Sequence, residues 1–583
     1  MQPVDYTTLI ASCSQLRSQW LPARLEHVIQ RDRFTISLAL RTLKKRGWLD
    51  ISWHPQAARI CIGDPPPRIP DTFTFSQQLK HQLNGLALIA IAEVSPWERV
   101  LDFQFAKRPG EKPLWHLYVE VMTKYSNVIL TTVDNLVITC ARQINIQQSS
   151  VRQIQTGQPY ELPPSLTNSI PRVSETQQHW QERISLVPGS LSRNVIKNYR
   201  GLSKALVEPM IKTAGLDPQQ LTNSLNNSDW EKLFQLWQKW LQALDKLIFN
   251  PGWTSTGYTV TGWKAIECVD SVGELLNHYY TQQLNQQEFT QLHHQISQKV
   301  NSITAKLQLK AQTFTQRLEQ SDGAELLRSQ ADLLMANLQE WQPGMKNISL
   351  PDFETGEIIF IKLDPEKNAV QNAQSIYKKY QKLKRAHTIV KPLLAEVQNE
   401  IHYLEQVEAF LSQLNNYRSP EDLQTLEEIR EELIQQGILN APEHHQQNNR
   451  KDTEFYRYQT PSGLELLVGR NNRQNDLLTF RVAGDYDLWF HTQEIPGSHL
   501  LLRLDAGTIP DEVDLQFVAD MSAFYSRGRQ SEVVPVIYTK PKFVYKPKGA
   551  KPGMVIYNQE QVLWGKPQSA AVHINQKSTT PFN

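Results

Sequence analysis

Cysteine is scarce in this chain of 583 residues, and the four that it has lie far apart. Cys13, Cys61, Cys140 and Cys268 form no CxxC pair, which argues against a zinc site and a disulfide framework and is typical of reduced thiols in a cytosol. Long apolar runs are also missing. The most apolar stretch, "LNGLALIAIA" at 83–92, is much shorter than the ~20 residues that span a bilayer. The N-terminal "MQPVDYTTLI" shows no signal peptide, so we expect a cytoplasmic protein without a membrane partner.

A large excess of one charge is absent as well, because the formal net charge is only +2. This balance excludes a uniformly basic protein but allows local basic surfaces. At this length the chain is too long for one core, and three to five domains are expected.

The first segment, residues 1–172, alternates helix and strand patterns. "YTTLIASCSQLRSQW" has helical spacing, and strand patterns occur in "RFTISLAL", "WLDISW", "ARICIG", "WHLYVEVM" and "SNVILTT". Residues 173–275 are predicted to be helical, with two helices separated at Gly201 and Ser203 available as an N-cap. This pair fits either a phosphate-binding helix-hairpin-helix or a plain helical hairpin, and the plain hairpin is slightly favoured because no GhG signature is present.

Residues 276–435 carry two runs of heptad-like apolar spacing, which predict an antiparallel coiled-coil hairpin. A turn and the strand "EIIFIKL" predict a small insertion near 343–366, between the two helices. The polar segment 436–454 is predicted to be a linker. The apolar positions of the two runs are Phe289, Leu292, Ile296, Val300, Ile303, Leu307, Phe314 and Leu318, then Val397, Ile401, Leu404, Leu411 and Leu414.

The last segment, residues 455–575, is predicted to be a strand-rich α+β domain. One helix is expected around "DLQFVADMSAFYSRGR". The strand candidates are "LELLVGR", "LLTFRVA", "DLWFH", "HLLLRL", "VPVIYTK" and "MVIYNQ".

Three clusters in this last segment could bind a ligand. The first is a predicted loop from Gly469 to Asp476, whose amide and guanidinium groups match phosphates and base edges. Its candidate RNA-binding residues are Arg470, Asn471, Asn472, Arg473, Gln474 and Asn475.

The second cluster lies in "DYDLWFHTQEIPGSHLLL" and contains Asp487, Trp489, His491, Ser498 and His499. Histidine and carboxylate are good metal ligands, but their spacing matches no known metal motif, and no nucleophile elbow surrounds the serine. We therefore predict no metal and no catalytic residue here and assign these five residues to RNA binding.

The third cluster, "YTKPKFVYKPKGAKPG", places five lysines within twelve residues and interleaves them with Phe543 and Tyr545. Lysine beside aromatic faces suits a nucleic acid, whereas a solvated edge strand protected by lysines is the alternative. Since no groove-reading helix motif is present, RNA is favoured over DNA. The lysines are Lys540, Lys542, Lys546, Lys548 and Lys551.

Near the N-terminus, "SPWERVLDF" places Glu98 and Arg99 between a Pro-Trp pair and an apolar strand. A surface ion pair worth ~0–1 kcal/mol and a binding pair fit this pattern equally well.

These segments together resemble the NFACT family over almost the whole chain. The C-terminal "GLELLVGRNNRQNDLLTFRVAGDYDLWFHTQEIPGSHLLL", "FYSRGRQSEVVPVIYTK" and "VYKPKGAKPGMVIY" are similar to the family's NFACT-R domain. "VDYTTL", "VEVMTKYSNVIL" and "VRQIQTGQPYELPP" are similar to NFACT-N, and "RGLSKALVEPMIKTAGL" is similar to its helix-hairpin-helix region. "SQADLLMANL" and "KNAVQNAQSIYKKYQKLKRA" resemble the stretches beside the coiled-coil tip. The N-terminal domain also resembles formamidopyrimidine-DNA glycosylases, although Met1-Gln2-Pro3 does not offer their N-terminal proline.

The resemblance implies a ribosome quality control factor. Such a protein binds large ribosomal subunits obstructed by peptidyl-tRNA, recruits tRNA, mainly alanyl-tRNA, and promotes template-free tailing of the stalled chain. The ribosome makes the peptide bond, so neither catalysis nor a cofactor is expected, and the protein acts as a monomer. The family's tRNA-binding residues map to Asp5, Glu98 and Arg99, with Glu98 standing where Asp is usual.

Three other functions remain open on the sequence. They are a surface adhesin for fibronectin, which no signal peptide, sorting motif or disulfide framework supports, a DNA glycosylase relative, and a general nucleic-acid chaperone without tRNA preference. A salt titration with tRNA and unrelated RNA separates the last of these from a tRNA-selective factor.

Overall fold

A computed structural model describes residues 1–67, 70–164, 167–353, 355–441 and 453–577. The chain divides into two compact units, Met1–Leu284 and Asn285–Asn583. Each unit combines helices with a β-sheet, so the chain is a multidomain α+β protein. In the part of the chain that the structure describes, no helix has the length and apolar character needed to cross a bilayer.

The first unit contains a nine-stranded antiparallel sheet in the order β4-β3-β2-β1-β5-β6-β7-β8-β9. Helices α1 and α2 pack beside it, and apolar residues of the sheet and of α1 share one core. The elements are α1 Tyr6–Trp20, β1 Ala23–Asp32, β2 Thr35–Arg41, β3 Arg46–Ser52, β4 Arg59–Gly63, α2 Thr74–Leu83, β5 Ala87–Glu93, β6 Val100–Ala106, β7 Trp115–Glu120, β8 Asn127–Thr132 and β9 Val137–Cys140.

Four helices and a three-stranded sheet follow in the same unit. Trp180, Trp230, Trp237 and Trp240 are buried and form the centre of the helical core. The elements are α3 Gln177–Ser185, α4 Leu191–Asn198, α5 Lys204–Thr213, α6 Asn227–Asp245, β10 Gly252–Thr254, β11 Gly257–Thr259 and β12 Glu267–Cys268. The predicted split at Gly201 and the predicted N-cap at Ser203 are confirmed, because the Ser203 side chain accepts a hydrogen bond from Leu206 N.

Helix α7 (Val272–Asp322) crosses the boundary at Leu284. Its residues 289–300 share a core with the end of the next long helix and with a third helix, which the heptad pattern did not predict. A separate small core lies between the long helices in sequence, around a two-stranded sheet that includes the predicted strand "EIIFIKL". The elements are α8 Ala324–Ala336, β13 Asn347–Pro351, β14 Ile358–Lys362, α9 Ala369–Gln413 and α10 Pro420–Gln435. Within the predicted linker 436–454, residues 442–452 lie outside the described residues.

The second unit ends in a six-stranded antiparallel sheet in the order β15-β16-β18-β17-β19-β22, and the predicted helix packs on it. The strand prediction for "LLTFRVA" is wrong, because this segment forms a helical turn at Leu478–Val482. The elements are β15 Tyr456–Gln459, β16 Glu465–Val468, α11 Asn472–Leu477, β17 Leu488–Thr492, β18 Leu500–Leu502, α12 Glu512–Phe524, β19 Val534–Thr539, β20 Val544–Tyr545, β21 Ile556–Tyr557, β22 Gln561–Gly565 and α13 Pro567–Lys577.

Candidate functional site

A cleft with a volume of about 1300 Å³ lies in the first unit. Three stretches that are distant in sequence meet there: the chain start, the β5–β6 connection and the α4–α5 hairpin. Asp5, Glu98 and Arg99 all line this cleft. The structure therefore brings together the three residues that the family resemblance assigned to tRNA binding.

Asp5 connects the starts of two helices. Its Oδ1 accepts a hydrogen bond from Thr8 N at 2.9 Å and so caps α1. Its Oδ2 accepts a hydrogen bond from Ser203 Oγ at 2.5 Å, and the same hydroxyl oxygen caps α5. The Asp5 carboxylate is buried, so its position is fixed by these two partners.

Arg99 is held against the chain start. Its Nη1 donates to the Val4 carbonyl oxygen at 3.1 Å. Burial lowers the pKa of the Arg99 guanidinium, and the nearby carboxylates of Asp5 and Glu98 oppose that shift. Because a guanidinium stays protonated in proteins, Arg99 is a cation in a partly desolvated position, where an ionic hydrogen bond to a ligand is strong.

Glu98 does not pair with its neighbour Arg99. Its Oε1 lies 3.3 Å from Arg200 Nη1, and Arg200 Nε donates to the Asn168 carbonyl oxygen at 2.7 Å. The ion pair that the sequence left open is therefore formed with the α4–α5 hairpin and is half-buried in the cleft.

The β5–β6 connection has an unusual backbone at this point. Trp97 adopts φ 62°, and its ring stacks on Tyr6 with a centroid distance of 4.6 Å. Gly201 has φ 74°, and a Cβ atom there would lie 2.8 Å from Trp97 Cε3. Only glycine allows position 201 to approach the Trp97 ring this closely at low cost. Sparsely populated backbone conformations such as that of Trp97 cluster at binding sites.

The lining of the cleft has an excess of positive charge, with seven basic side chains against three acidic ones. Glu120 is neutralised by Arg152, whose Nη1 donates to Glu120 Oε2 at 3.0 Å. Arg193 and Lys197 stand one turn apart on α4 and are exposed. Sequence reasoning missed these two, although their i, i+4 spacing in the predicted hairpin was a usable signal.

In the second unit, the amide-rich segment is not the loop that the sequence predicted. Asn471 Oδ1 accepts from Gln474 N at 2.9 Å and starts helix α11 at Asn472. The helix continues through the turn at Leu478–Val482, which alternation of apolar residues had indicated as a strand.

Most amides of this segment are buried and bonded inside the protein. Asn471 Nδ2 donates to Glu428 Oε2 at 2.7 Å, and Asn472 Nδ2 donates to Glu432 Oε1 at 3.1 Å. Gln474 Nε2 donates to the Thr453 carbonyl oxygen at 2.8 Å. The first two bonds join the C-terminal domain (residues 455–575), which we call the end domain, to α10.

The remaining members of the segment differ in exposure. Asn475 Oδ1 accepts from His499 N at 2.9 Å and is buried. The Arg470 guanidinium lies 4.0 Å from the centroid of the Tyr456 ring. Arg473 is exposed, so it is the member of the segment best placed to meet a ligand.

The second predicted cluster, which contains Trp489, His491 and His499, does come together in the structure, but it is buried inside the end domain. Trp489 Nε1 donates to Thr479 Oγ1 at 3.0 Å, and that hydroxyl is 2.7 Å from His499 Nδ1. His491 is buried with its Nε2 unpartnered, and its ring centroid lies 5.2 Å from that of His499. Burial lowers the pKa of His491 to about 4. Both rings are therefore neutral at pH 7.

Asp487 and Ser498 complete this cluster with bonds to the backbone. Asp487 accepts from Gly484 N at 2.8 Å and from Leu504 N at 3.0 Å, and Arg503 Nε lies 3.1 Å from its Oδ2. Ser498 Oγ donates to the Gly469 carbonyl oxygen at 2.7 Å. Among the described residues, no group of three or more His, Cys, Asp or Glu side chains is arranged to hold a metal ion.

The lysine cluster is the most accessible of the three. Lys540, Lys542 and Lys548 are exposed. Lys546 forms an ion pair with Asp476, and Lys551 Nζ lies 3.7 Å from Glu400 Oε1. Tyr545, between them, is also exposed, which leaves an aromatic face beside free cations.

Comparisons with known proteins match the two parts of the chain to two family models. A family model described as NFACT N-terminal and middle domains matches residues 5–453, and one described as NFACT protein RNA binding domain matches residues 454–559. The two matches define a multidomain protein that ends in an RNA-binding domain. The chain belongs to the NFACT family.

The chain is similar to the Rqc2 homolog RqcH of Bacillus subtilis (strain 168), with 29% identity over 591 residues that cover 97% of this chain and 98% of that protein. The Rqc2 homolog RqcH of Streptococcus suis (strain 05ZYH33) is 28% identical and covers 94% of this chain and 95% of that protein. Among solved structures, the C-terminal part of the fibronectin/fibrinogen-binding protein from Streptococcus suis is 32% identical, covers 48% of this chain and 95% of that chain, and gives a TM-score of 0.38.

Proposed function

We propose that this chain is a ribosome quality control factor of the cytosol. It binds large ribosomal subunits obstructed by peptidyl-tRNA and brings tRNA, alanyl-tRNA above all, for template-free addition of residues to the stalled chain. Two similar proteins carry the name Rqc2 homolog RqcH, and the family model for the end of the chain is an RNA-binding domain. The ribosome forms the peptide bond, and this protein positions the substrate.

The cleft of the first unit is the site for tRNA. The observation that carries this assignment is the convergence of Asp5, Glu98 and Arg99 on one positively charged surface. Asp5 and Glu98 hold the chain start and the α4–α5 hairpin in place, while Arg99, Arg193 and Lys197 face the RNA backbone. An arginine binds phosphate with two parallel hydrogen bonds, which fixes orientation as well as affinity.

The end domain contacts RNA through its exposed cations. Arg473, Lys540, Lys542 and Lys548 supply charges for phosphates, and Tyr545 supplies a stacking face. The buried amides and the His491–His499 cluster do not contact RNA themselves. They support the surface that carries the exposed cations and Tyr545.

The long helices α7 and α9 serve as an antiparallel coiled-coil arm with a small domain at its tip. Their shared core at residues 289–300 and 403–414, and the sheet β13–β14 that lies between them in sequence, support this. The domain limits predicted from the sequence fit the same scheme, with a glycosylase-like NFACT-N domain at 1–172, a helix-hairpin-helix region at 173–275, the arm at 276–435 and the RNA-binding domain at 455–575. The protein acts as a monomer and without a cofactor.

The test is the variant Arg99→Ala. It should reduce tailing at least tenfold, because the guanidinium in the cleft is lost, while binding to the large subunit stays largely intact. Tail length is measured by mass spectrometry of a stalled reporter chain, and subunit binding is measured by co-sedimentation.

Arg172→Ala, which removes an exposed arginine of the same unit outside the cleft, is the matched control. It should leave both readouts unchanged. If Arg99→Ala lowers tailing and subunit binding equally, together with the melting temperature, Arg99 only holds the first unit together and the assignment of the cleft is wrong.

Recovery of the RNA that accompanies the protein tests the function as a whole. The tagged protein is isolated from its native cells at low salt and every bound RNA is sequenced. Large-subunit RNA with one or two enriched tRNAs supports the proposal, whereas the absence of ribosomal RNA rejects it.

A further inference from the structure

A second basic surface lies in the first unit, and it shares no residue with the cleft. We call it the basic patch. It borders a shallow groove of about 850 Å³, which has no acidic side chain in its lining. Its members are Arg24, Arg41, Lys44, Lys45, Arg46 and Lys107.

The strand register places three arginines of the patch side by side. Arg24 on β1 is opposite Arg41 on β2, and Arg41 is opposite Arg46 on β3. Side chains that face each other across neighbouring strands are only about 5 Å apart at Cβ, and like charges in such positions are destabilising. The register therefore gathers three positive charges at one end of the sheet.

Only part of the positive charge is balanced within the protein. Glu26 Oε1 lies 2.7 Å from Arg41 Nε, and its Oε2 lies 3.7 Å from Arg46 Nε. The structure gives Arg24, Lys44 and Lys107 no ion pair with any described residue, and all three are exposed. The patch therefore keeps several free cations.

A solvated, lysine-protected sheet edge does not explain this surface. Edge strands carry charges to prevent pairing with other chains. In the order β4-β3-β2-β1-β5, however, the strands that carry the arginines are interior strands. Arg24 is paired with both β2 and β5, and Arg41 is paired with both β1 and β3, so these two positions need no such protection.

The turn between β2 and β3 presents a shaped tip. Thr42 N donates to the Lys45 carbonyl oxygen at 2.9 Å, and Thr42 Oγ1 accepts from Lys45 N at 3.0 Å. Leu43, at the tip, is completely exposed between basic neighbours. An apolar tip flanked by cations suits the wide, shallow minor groove of an RNA helix, where riboses and phosphates lie together.

The patch is far from the cleft. Ala87 at the start of β5 and Lys107 after β6 line the patch, whereas Trp97 and Arg99, at the other end of the same two strands, line the cleft. A strand rises about 3.3 Å per residue, so the length of β5 separates the two surfaces by roughly 20 Å.

We propose that the basic patch binds the phosphate backbone of an RNA helix other than the RNA held in the cleft. Under the function proposed above, on which this identification rests, that helix belongs to the RNA of the large ribosomal subunit. The arginine row meets the phosphates and the Leu43 tip enters the minor groove. The patch thus orients the first unit while the cleft remains free for tRNA.

The test uses the full chain with three substitutions, Arg24→Gln, Lys44→Gln and Lys107→Gln, one from each segment of the patch. The matched control, Lys80→Gln with Lys232→Gln and Lys246→Gln, removes the same charge from exposed lysines of the same unit. Binding to large subunits, to free tRNA and to a short RNA duplex is measured over a range of salt concentrations, and thermal unfolding is recorded for every variant.

We expect the patch variant to bind large subunits at least tenfold more weakly. Its slope of log affinity against log salt should fall by about 2–3, because each of the three lost phosphate contacts removes ~0.7–0.9 from the slope. Its tRNA affinity should equal that of the unmodified protein, its melting temperature should not fall, and the control should behave like the unmodified protein. Equal loss of tRNA affinity, or unchanged subunit binding, overturns the proposal.

Binding of the short RNA duplex distinguishes a failure of this proposal from a failure of the proposed function on which it rests. If the unmodified protein does not bind subunits, the proposed function fails, and the patch is then judged on the duplex alone. Loss of duplex binding in the patch variant but not in the control keeps the patch as an RNA surface, and equal binding rejects it.

Discussion

At the scale of single residues, the two buried histidines of the end domain show how burial controls ionisation. His491 and His499 lie in ring contact with Trp489, and removal from water disfavours their charged forms. Burial lowers the pKa of His491 to about 4 and lowers the pKa of His499 well below its usual value. The folded domain therefore requires both rings to be neutral.

This requirement predicts that the second unit loses stability in mild acid. Between pH 6.5 and about 4 the unfolded chain protonates His491 while the folded chain does not, so the unfolded state binds more protons and stability falls as the pH falls. The full effect of His491 is on the order of 3 kcal/mol, from 1.36 kcal/mol per pKa unit. Chemical denaturation at a series of pH values measures it.

The variant His491→Gln should make this part of the pH profile less steep, because glutamine does not titrate and, of the two buried histidines, only the contribution of His499 remains. His294→Gln, at an exposed histidine of the same unit, should leave the profile unchanged. A profile that is identical in His491→Gln and the unmodified protein would contradict the prediction.

At the scale of elements, the start of helix α5 depends on a side chain that also supports the cleft. Ser203 Oγ accepts from Leu206 N at 3.1 Å and donates to Asp5 Oδ2. Loss of an N-cap costs about 1 kcal/mol, and loss of a hydrogen bond to a buried carboxylate costs about 1–3 kcal/mol. Ser203→Ala should therefore lower the free energy of unfolding of the first unit by about 2–3 kcal/mol, measured by urea denaturation.

Thr176→Ala is a suitable control, because Thr176 caps α3 through His179 N but supports no buried carboxylate. Its cost should be about 1 kcal/mol or less. Equal costs for the two variants would show that the bond between Ser203 and Asp5 contributes nothing to the stability of the cleft.

At the scale of the whole molecule, RNA binding has to come from local surfaces, since the net charge is only +2. The variant with Arg193→Gln and Lys197→Gln should weaken tRNA binding and reduce the slope of log affinity against log salt by about 2, one for each lost phosphate contact. Fluorescence titration of labelled tRNA between low and moderate salt gives this slope.

A variant with Lys232→Gln and Lys246→Gln has the same change in net charge on α6 and its end, outside the cleft. Its slope should equal that of the unmodified protein. If both variants shift the slope equally, the cleft is not the tRNA site and the overall charge controls binding.

Local sequence signals determined most elements of this protein. Asp5 and Ser203 start α1 and α5 because their side chains satisfy free backbone N–H groups, and this chemistry is visible in the sequence. Apolar periodicity located β2, β3, β4, β7 and β8 of the large sheet and the long helices, but it did not locate β1, β5 or β9. The segment Leu478–Val482 was misread as a strand because a short apolar run fits a strand and a partly buried helical turn equally well.

Tertiary structure decided which of the candidate residues can meet a ligand. The amide-rich segment and the His491–His499 cluster looked available in the sequence, yet packing against α10 and within the end domain buries most of their side chains. The cleft and the basic patch became visible only when distant segments came together, because strand register and helix packing, and not sequence distance, set which charges are neighbours. The sequence by itself determined the family and most of the elements, since these depend on local pattern, whereas the binding surfaces depend on contacts between residues far apart in the chain.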